Sequence, residues 1–472
     1  MPKDLRDFLA RLEQHAPAEL LRVKRPVDPV FELPGVLRKL QAERRYPAVL
    51  FEQVKGRKLP VISNLLGGER LLAEALETTP DRLTETYIER EEKRLPFEQV
   101  ADGPVHEIVV RGDDINLYEM PIITNCEKDS GAFITGGVTT VRDPATGTHN
   151  SGIYRMQIHS RNTLGMSYEK HAHIGRIHRH VEARGEPLDA VTWVGHHPAC
   201  LLGSQSKVQF GEDEYEAMGG LLGEPLQVVR GLTVDVLVPA YAEIAFEGRI
   251  LPGPRLPEGP FGEFTWYYGL ERPSPVMEVT AITYRTGAIY HHLFAAHPEH
   301  NLTGRLGREA VLYKRVKAAV PSTRAVCLPM SGICRFTAYV QIAKEFDGEG
   351  KLAALAALAS DPFVKLAVVV DEDIDIHNDA EVLWAIATRT QPDRSTFFVQ
   401  DAAVSRLDPA SYSIWSRWEK DTMNTKWAID ATKPVEAPFE DRADVPREYW
   451  EHLDLREYIE GWAGAAGTRA AR

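Results

Sequence analysis

At 472 residues, 43% apolar and 26% charged, the chain has the composition of a folded protein of two or three domains. A formal net charge of −13, with no compensating basic stripe, argues against nucleic acid and leaves small molecules and other subunits as expected partners. There is no run of 18 apolar residues, and the N-terminus is charged from its third residue, so no membrane span or signal segment is expected and the protein is read as cytoplasmic.

Leu5, Phe8, Leu9 and Leu12 recur at helical spacing and predict an opening amphipathic helix. A helix over 33–45, a strand over 46–54 and a helical stretch between Gly67 and Glu92 follow, without any catalytic grouping. A boundary is drawn at the Ala101-Asp102-Gly103-Pro104 turn, so residues 1–104 form an N-terminal α/β region. Residues 105–303 are read as β-rich, with strands at 106–112, 136–143, 153–160, 191–197, 233–239, 242–250, 276–285 and 288–294 and a helix starting near His171. That many strands predict an antiparallel barrel with insertions. Residues 304–433 alternate helix and strand, which predicts an α/β sandwich whose Leu/Ala helix face and Trp384 fit a subunit interface or, at least as well, a plain core. Residues 434–472 hold a predicted helix, PREYWEHLDLREYIEGW, and a mobile end, GAAGTRAAR. The four cysteines lack CxxC spacing and read as reduced thiols.

Chemistry concentrates in HNSGIYRMQIHSRNTLGMSYEKHAHIGRIHRH (149–180), GEDEY (211–215) and PEGPFGE (257–263). They supply an amide (Asn150), a guanidinium (Arg155), imidazoles at 171, 173, 178 and 180, and the carboxylates of Glu214, Glu258 and Glu263. Oxygen donors with imidazole suit Mn²⁺ or Mg²⁺ better than a thiolate-seeking metal, although a histidine run also fits a solvated helix face. An arginine with two separate glutamates suits carboxylate binding and proton transfer. HExxH, Walker A, GxSxG and a strand-following GxGxxG are absent, which weakens protease, NTPase, serine hydrolase and dinucleotide readings.

NSGIYRMQ, HIGRIH, DEYEAMGG, VPAYAEIAFEG, PEGPFGE and KWAIDATKP resemble the UbiD family of prenylated-flavin decarboxylases over most of residues 100–435. The resemblance implies an N-terminal α/β region, a split β-barrel flavin domain and a C-terminal α/β oligomerisation domain. It implies prenylated FMN with Mn²⁺ or another divalent cation, and K⁺ as a further candidate. Asn150, His173 and Glu214 would be metal ligands that grip the cofactor phosphate; Ser151, Gly152 and Ile153 would lay backbone against the flavin; Lys426 would approach the phosphate. Arg155, Glu258 and Glu263 match the family's catalytic network: Arg155, held by Glu258, orients the substrate carboxylate, and Glu263, roofed by Phe261, Phe264 and Trp266, protonates the carbon that has lost CO₂. His297 and Arg305 are candidates for a second polar group of the substrate. The expected activity is reversible non-oxidative decarboxylation of an α,β-unsaturated, aromatic or heteroaromatic acid, by a homodimer or larger homo-oligomer supplied by a flavin prenyltransferase. A flavin-free metal hydrolase and a silent subunit of a larger carboxylase are the alternatives.

Overall fold

The opening helix is present as Leu5–His15, N-capped by Asp4, with Leu5, Phe8, Leu9 and Leu12 buried. The computed structural model describes residues 2–411, 423–460 and 462, so the terminal GAAGTRAAR lies outside the described residues. These residues fall into two units, one drawn from Met1–Val311, Ile333–Arg335 and Ser405–Thr422, the other from Leu312–Gly332, Phe336–Val404 and Met423–Arg472.

The first unit is built on a nine-stranded antiparallel sheet. Its order is Phe133–Ile134, Met156–Ile158, Thr163–Met166, Arg272–Tyr284, Ile244–Glu258, Leu188–Val194, Gly137–Arg142 and His149–Ile153, with Ile108–Arg111 added beside Arg272–Tyr284. The predicted barrel does not close: among the described residues no ladder joins the two ends of this path. Two long strands, Ile244–Glu258 and Arg272–Tyr284, form its spine and carry β-bulges, which add local twist. The helix His173–Glu182 places Ile174, Ile177 and Val181 in a core shared with Ile244, Ile250, Met277 and Val279. The strand expected at 288–294 forms only over Tyr290–His292 and leaves the central sheet. It pairs in parallel with Val61–Ser63 in a four-stranded sheet that also holds Leu20–Val23 and Ala48–Phe51.

The N-terminal helix is tied to the central sheet by charge. Glu243, wholly buried, accepts from Arg6 Nε at 3.0 Å, Arg285 Nη1 at 3.1 Å and the backbone of Ile289 at 3.0 Å. Removing Glu243 takes a buried anionic partner from Arg285, itself nearly buried, and an acceptor from the Ile289 backbone. Glu243→Ala should therefore cost about 3–5 kcal/mol, read as a lowered urea midpoint; a midpoint unchanged from the native protein would show that water screens the cluster.

In the second unit the predicted α/β alternation is present. Thr323–Cys327, Thr337–Ile342, Leu366–Asp371, Met423–Ala431 and Thr396–Ala403 form one sheet, with parallel pairing at its centre. Helix Glu349–Ser360 buries Ala353, Ala354, Ala357 and Leu358 in one cluster, and helix Asp379–Arg389 buries Val382 and Ala385 in a separate one. The long helix predicted in the tail is replaced by two short turns, Arg447–Tyr449 and Leu455–Tyr458, whose residues bury nothing. With no core to pack on, a segment this short gains too little to stay helical.

Candidate active site

Arg155 does not lie within one strand, as the reading of 153–160 expected. It sits with Tyr154 in a break between His149–Ile153 and Met156–Ile158, and the break turns its side chain toward PEGPFGE. Glu258 is the last residue of the long strand Ile244–Glu258, opposite Arg272 in the ladder. The chain then turns at Gly259, whose φ of 92° is open to glycine at little cost, and forms Phe261–Gly262 against Tyr268–Gly269 before presenting Glu263. A Cβ at Gly269 would lie 2.7 Å from Glu263 Oε1, so a larger residue there would displace the carboxylate.

The three predicted network residues are brought together. Arg155 donates from Nε to Glu258 Oε1 at 2.6 Å and from Nη2 to Oε2 at 3.1 Å, a bidentate grip, while its Nη1 donates to Glu263 Oε1. Glu258 is fully buried and Glu263 nearly so. Burial opposes the charge on Arg155, but Glu263 and Glu258 outweigh it and carry the guanidinium above its usual range. The Phe261 ring centroid lies 4.5 Å from the guanidinium carbon.

This network opens into a cavity of about 220 Å³ lined by Tyr154, Arg155, Ser167, Tyr168, Phe261, Glu263, Phe264, Arg272 and His300, among others. Phe261 and Phe264 are buried as expected, but Trp266 is 51% exposed at φ 64° and is absent from the lining. A turn that begins at Glu263, closed by the Trp266 N–H donating to the Glu263 carbonyl at 2.9 Å, carries Trp266 outward, so it does not roof Glu263 as expected. His297 and Arg305 are likewise absent from the lining. His297 Nδ1 accepts from the backbone of Glu299 at the start of a helix, and Arg305 pairs with Glu69 at 3.1 Å. His300 takes the position in their place; burial, then Arg335 and Arg155, push its imidazole down to about 3, so it is neutral. Its separation from the motif, and that of Arg272, gave the sequence no signal. Asp129, outside any motif, and Gln157, inside NSGIYRMQ but given no role, fix the loop by accepting from the backbones of Gly262 at 2.8 Å and Gly259 at 3.0 Å.

Asn150, His173 and Glu214 also meet. Glu214 opens the helix Glu214–Leu222, which Asp213 caps by accepting from the Tyr215 backbone at 2.9 Å. Asn150 Nδ2 donates to Glu214 Oε1 at 2.8 Å, and His173 Nδ1 lies 3.9 Å from the same oxygen. The Asn150 Oδ1 is buried without a hydrogen-bond partner. Burial pushes the Glu214 carboxyl up to about 8, and burial followed by Arg176 and Lys207 lowers His173, leaving a neutral imidazole. An orphaned amide oxygen, a desolvated carboxyl and a neutral imidazole fit a hard divalent cation, which would satisfy the first two together. Among the described residues no three His, Cys, Asp or Glu side chains are disposed for a metal, so such a site depends on the amide. Of the other histidines in the run, His171 and His180 are exposed and His178 bonds the Tyr168 hydroxyl at 2.7 Å. Ser151 spends its backbone N–H on Glu214 Oε2 at 2.9 Å, Gly152 pairs with Thr139, and Ile153 lines the cavity. Lys426 belongs to the second unit, where its ammonium donates to the carbonyls of Leu358 at 2.9 Å and Asp361 at 3.1 Å. No helix of the described residues is long and apolar enough to cross a membrane.

Comparison with known proteins gives a consistent result. Residues 98–298 match the Rift-related domain of 3-octaprenyl-4-hydroxybenzoate carboxy-lyase, residues 301–431 its C-terminal domain and residues 10–91 its N-terminal domain. The chain is 35% identical over 433 residues to an anhydromevalonate phosphate decarboxylase of Methanothermobacter thermautotrophicus, covering 91% of this chain and 97% of that one. The UbiD-class enzyme HmfF from Pelotomaculum thermopropionicum, solved with FMN, superposes with a TM-score of 0.90 at 40% identity, covering 97% of this chain and all of the other. The apo 3,4-dihydroxybenzoic acid decarboxylase of Klebsiella pneumoniae superposes at 0.86 with 29% identity, covering 96% of this chain and all of that one.

Proposed function

Because this chain belongs to the UbiD carboxy-lyase family, we propose that it decarboxylates an α,β-unsaturated aromatic or heteroaromatic acid, reversibly and without an oxidant, using prenylated FMN and a divalent cation. The observation that carries this reading is the Arg155–Glu258–Glu263 network opening into a cavity walled by Phe261, Phe264, Tyr154 and Tyr168. Flat aromatic walls suit a planar ring. The family's modified flavin, when bound, supplies the electron sink that decarboxylation requires.

The residues divide the remaining work. Arg155 has committed Nε and Nη2 to Glu258, so Nη1, which rests on Glu263, is the N–H that turns to the substrate carboxylate. Glu258 keeps the guanidinium oriented and charged. Glu263, released from Arg155, holds a proton at its carboxyl and delivers it to the carbon that CO₂ leaves. Asn150, His173 and Glu214 would hold Mn²⁺ or a similar cation, with K⁺ as a further candidate, and this cation would tie the cofactor phosphate to the protein.

Removing a ligand should loosen that tie. Glu214→Ala and His173→Ala, each co-expressed with a flavin prenyltransferase, should purify folded but with at least ~10-fold lower flavin and metal occupancy; full occupancy in both would remove the metal assignment. For the substrate class, CO₂ release should be measured over a panel of benzoic, furoic and pyrrole carboxylic acids together with aliphatic phosphorylated acids. Turnover confined to the last group would overturn the aromatic reading.

A further inference from the structure

Arg272 lines the same cavity as Arg155 but has no comparable partner. Its side chain is 17% exposed, its Nη2 donates to the neutral Ser167 hydroxyl, and its Nε comes no nearer than 3.8 Å to Glu258 Oε2. That oxygen is already taken by Arg155 Nη2 at 3.1 Å. A guanidinium presents five N–H donors in a planar fork that matches the two oxygens of a carboxylate or phosphate. Here the fork is withdrawn from water, given one hydroxyl as a firm acceptor and set beside a second guanidinium. Burial, then Arg406 and Arg155, lower its proton affinity against the smaller opposing pull of Glu258 and Glu169. Its position is fixed by the sheet, because Arg272 begins the strand Arg272–Tyr284 directly opposite Glu258 in the ladder.

We propose that Arg272 is an oxyanion receptor of the cavity, distinct from the Arg155 grip on the reacting carboxylate, and that it takes either a second anionic group of the substrate or the cofactor phosphate. The first source rests on the reading of the cavity as the reaction chamber; the second needs only that the flavin binds there. In both cases the incoming oxygens complete the Arg272 fork and leave the Arg155–Glu258 pair undisturbed.

The test compares native protein with Arg272→Gln and Arg272→Lys, the lysine retaining charge without the planar fork. Binding of terephthalate and of benzoate to the flavin-loaded protein is measured by calorimetry, and binding of FMN and of riboflavin to the flavin-free protein by fluorescence quenching. If the substrate supplies the anion, terephthalate affinity falls at least ~10-fold in both variants while benzoate affinity is unchanged. If the phosphate supplies it, FMN affinity falls by the same factor while riboflavin affinity is unchanged. Equal affinities for native and variant protein with all four ligands would overturn the proposal. A native holoenzyme that releases CO₂ from no acid would count against the proposed reaction alone, since the FMN and riboflavin arm is read without turnover.

Discussion

Glu263→Gln should abolish most turnover while leaving the site assembled. The glutamine keeps the shape of the side chain but cannot deliver a proton to carbon. Positioned general acids contribute roughly 10²–10⁴-fold, so kcat should fall by that factor with flavin occupancy unchanged. Glu263 is nearly buried, Gly269 packs against its carboxyl, and its backbone N–H donates to the Tyr267 carbonyl at 2.9 Å. The loop is thus shaped around this side chain, and a variant of equal size should not disturb it. A glutamine variant that keeps the native rate would mean that the proton comes from another group.

Arg155→Lys is expected to have an effect of similar size for a different reason. Lysine preserves the charge, but a single ammonium cannot grip both oxygens of Glu258 and reach Glu263 as the guanidinium does. The fully buried Glu258 would lose part of its compensation, and the substrate carboxylate would lose the N–H that Nη1 provides. Truncating one partner of a desolvated charge pair costs about 2–5 kcal/mol, so kcat/KM should drop roughly 10²-fold or more. Steady-state kinetics on holoenzyme read this directly; a drop of less than about threefold would show that Arg155 organises the site without touching substrate.

The two variants differ in what they disturb, which reflects what the sequence could and could not reveal. Arg155, Glu258, Glu263, Asn150, His173 and Glu214 were legible because each sits in a short motif whose chemistry is local. Their convergence follows from the fold of the sheet, in which Thr163–Met166 and Arg272–Tyr284 lie between Met156–Ile158 and Ile244–Glu258 and the Arg155 side chain reaches both glutamates, information that no single segment carries. The helix expected to start near His171 is present as His173–Glu182, where it buries Ile174, Ile177 and Val181. Trp266 was misplaced because nearness in sequence to Glu263 does not show that a turn carries its ring outward. The strand Tyr290–His292 was assigned to the wrong sheet because strand propensity does not name a partner. Arg272, His300 and Asp129 lay in no motif, and Gln157, though inside NSGIYRMQ, was given no role; only the folded cavity and its supporting hydrogen bonds bring them into view.

The central claim is that this chain exchanges CO₂ for a proton at one carbon, with no net oxidation. It is tested most directly by running the flavin-loaded enzyme anaerobically in D₂O with an accepted acid and counting CO₂ and deuterium in the product. The account predicts one deuterium per CO₂, placed at the carbon that carried the carboxylate, with no oxidant consumed. Product that carries hydrogen at that carbon, or CO₂ release that requires an added oxidant, would contradict it.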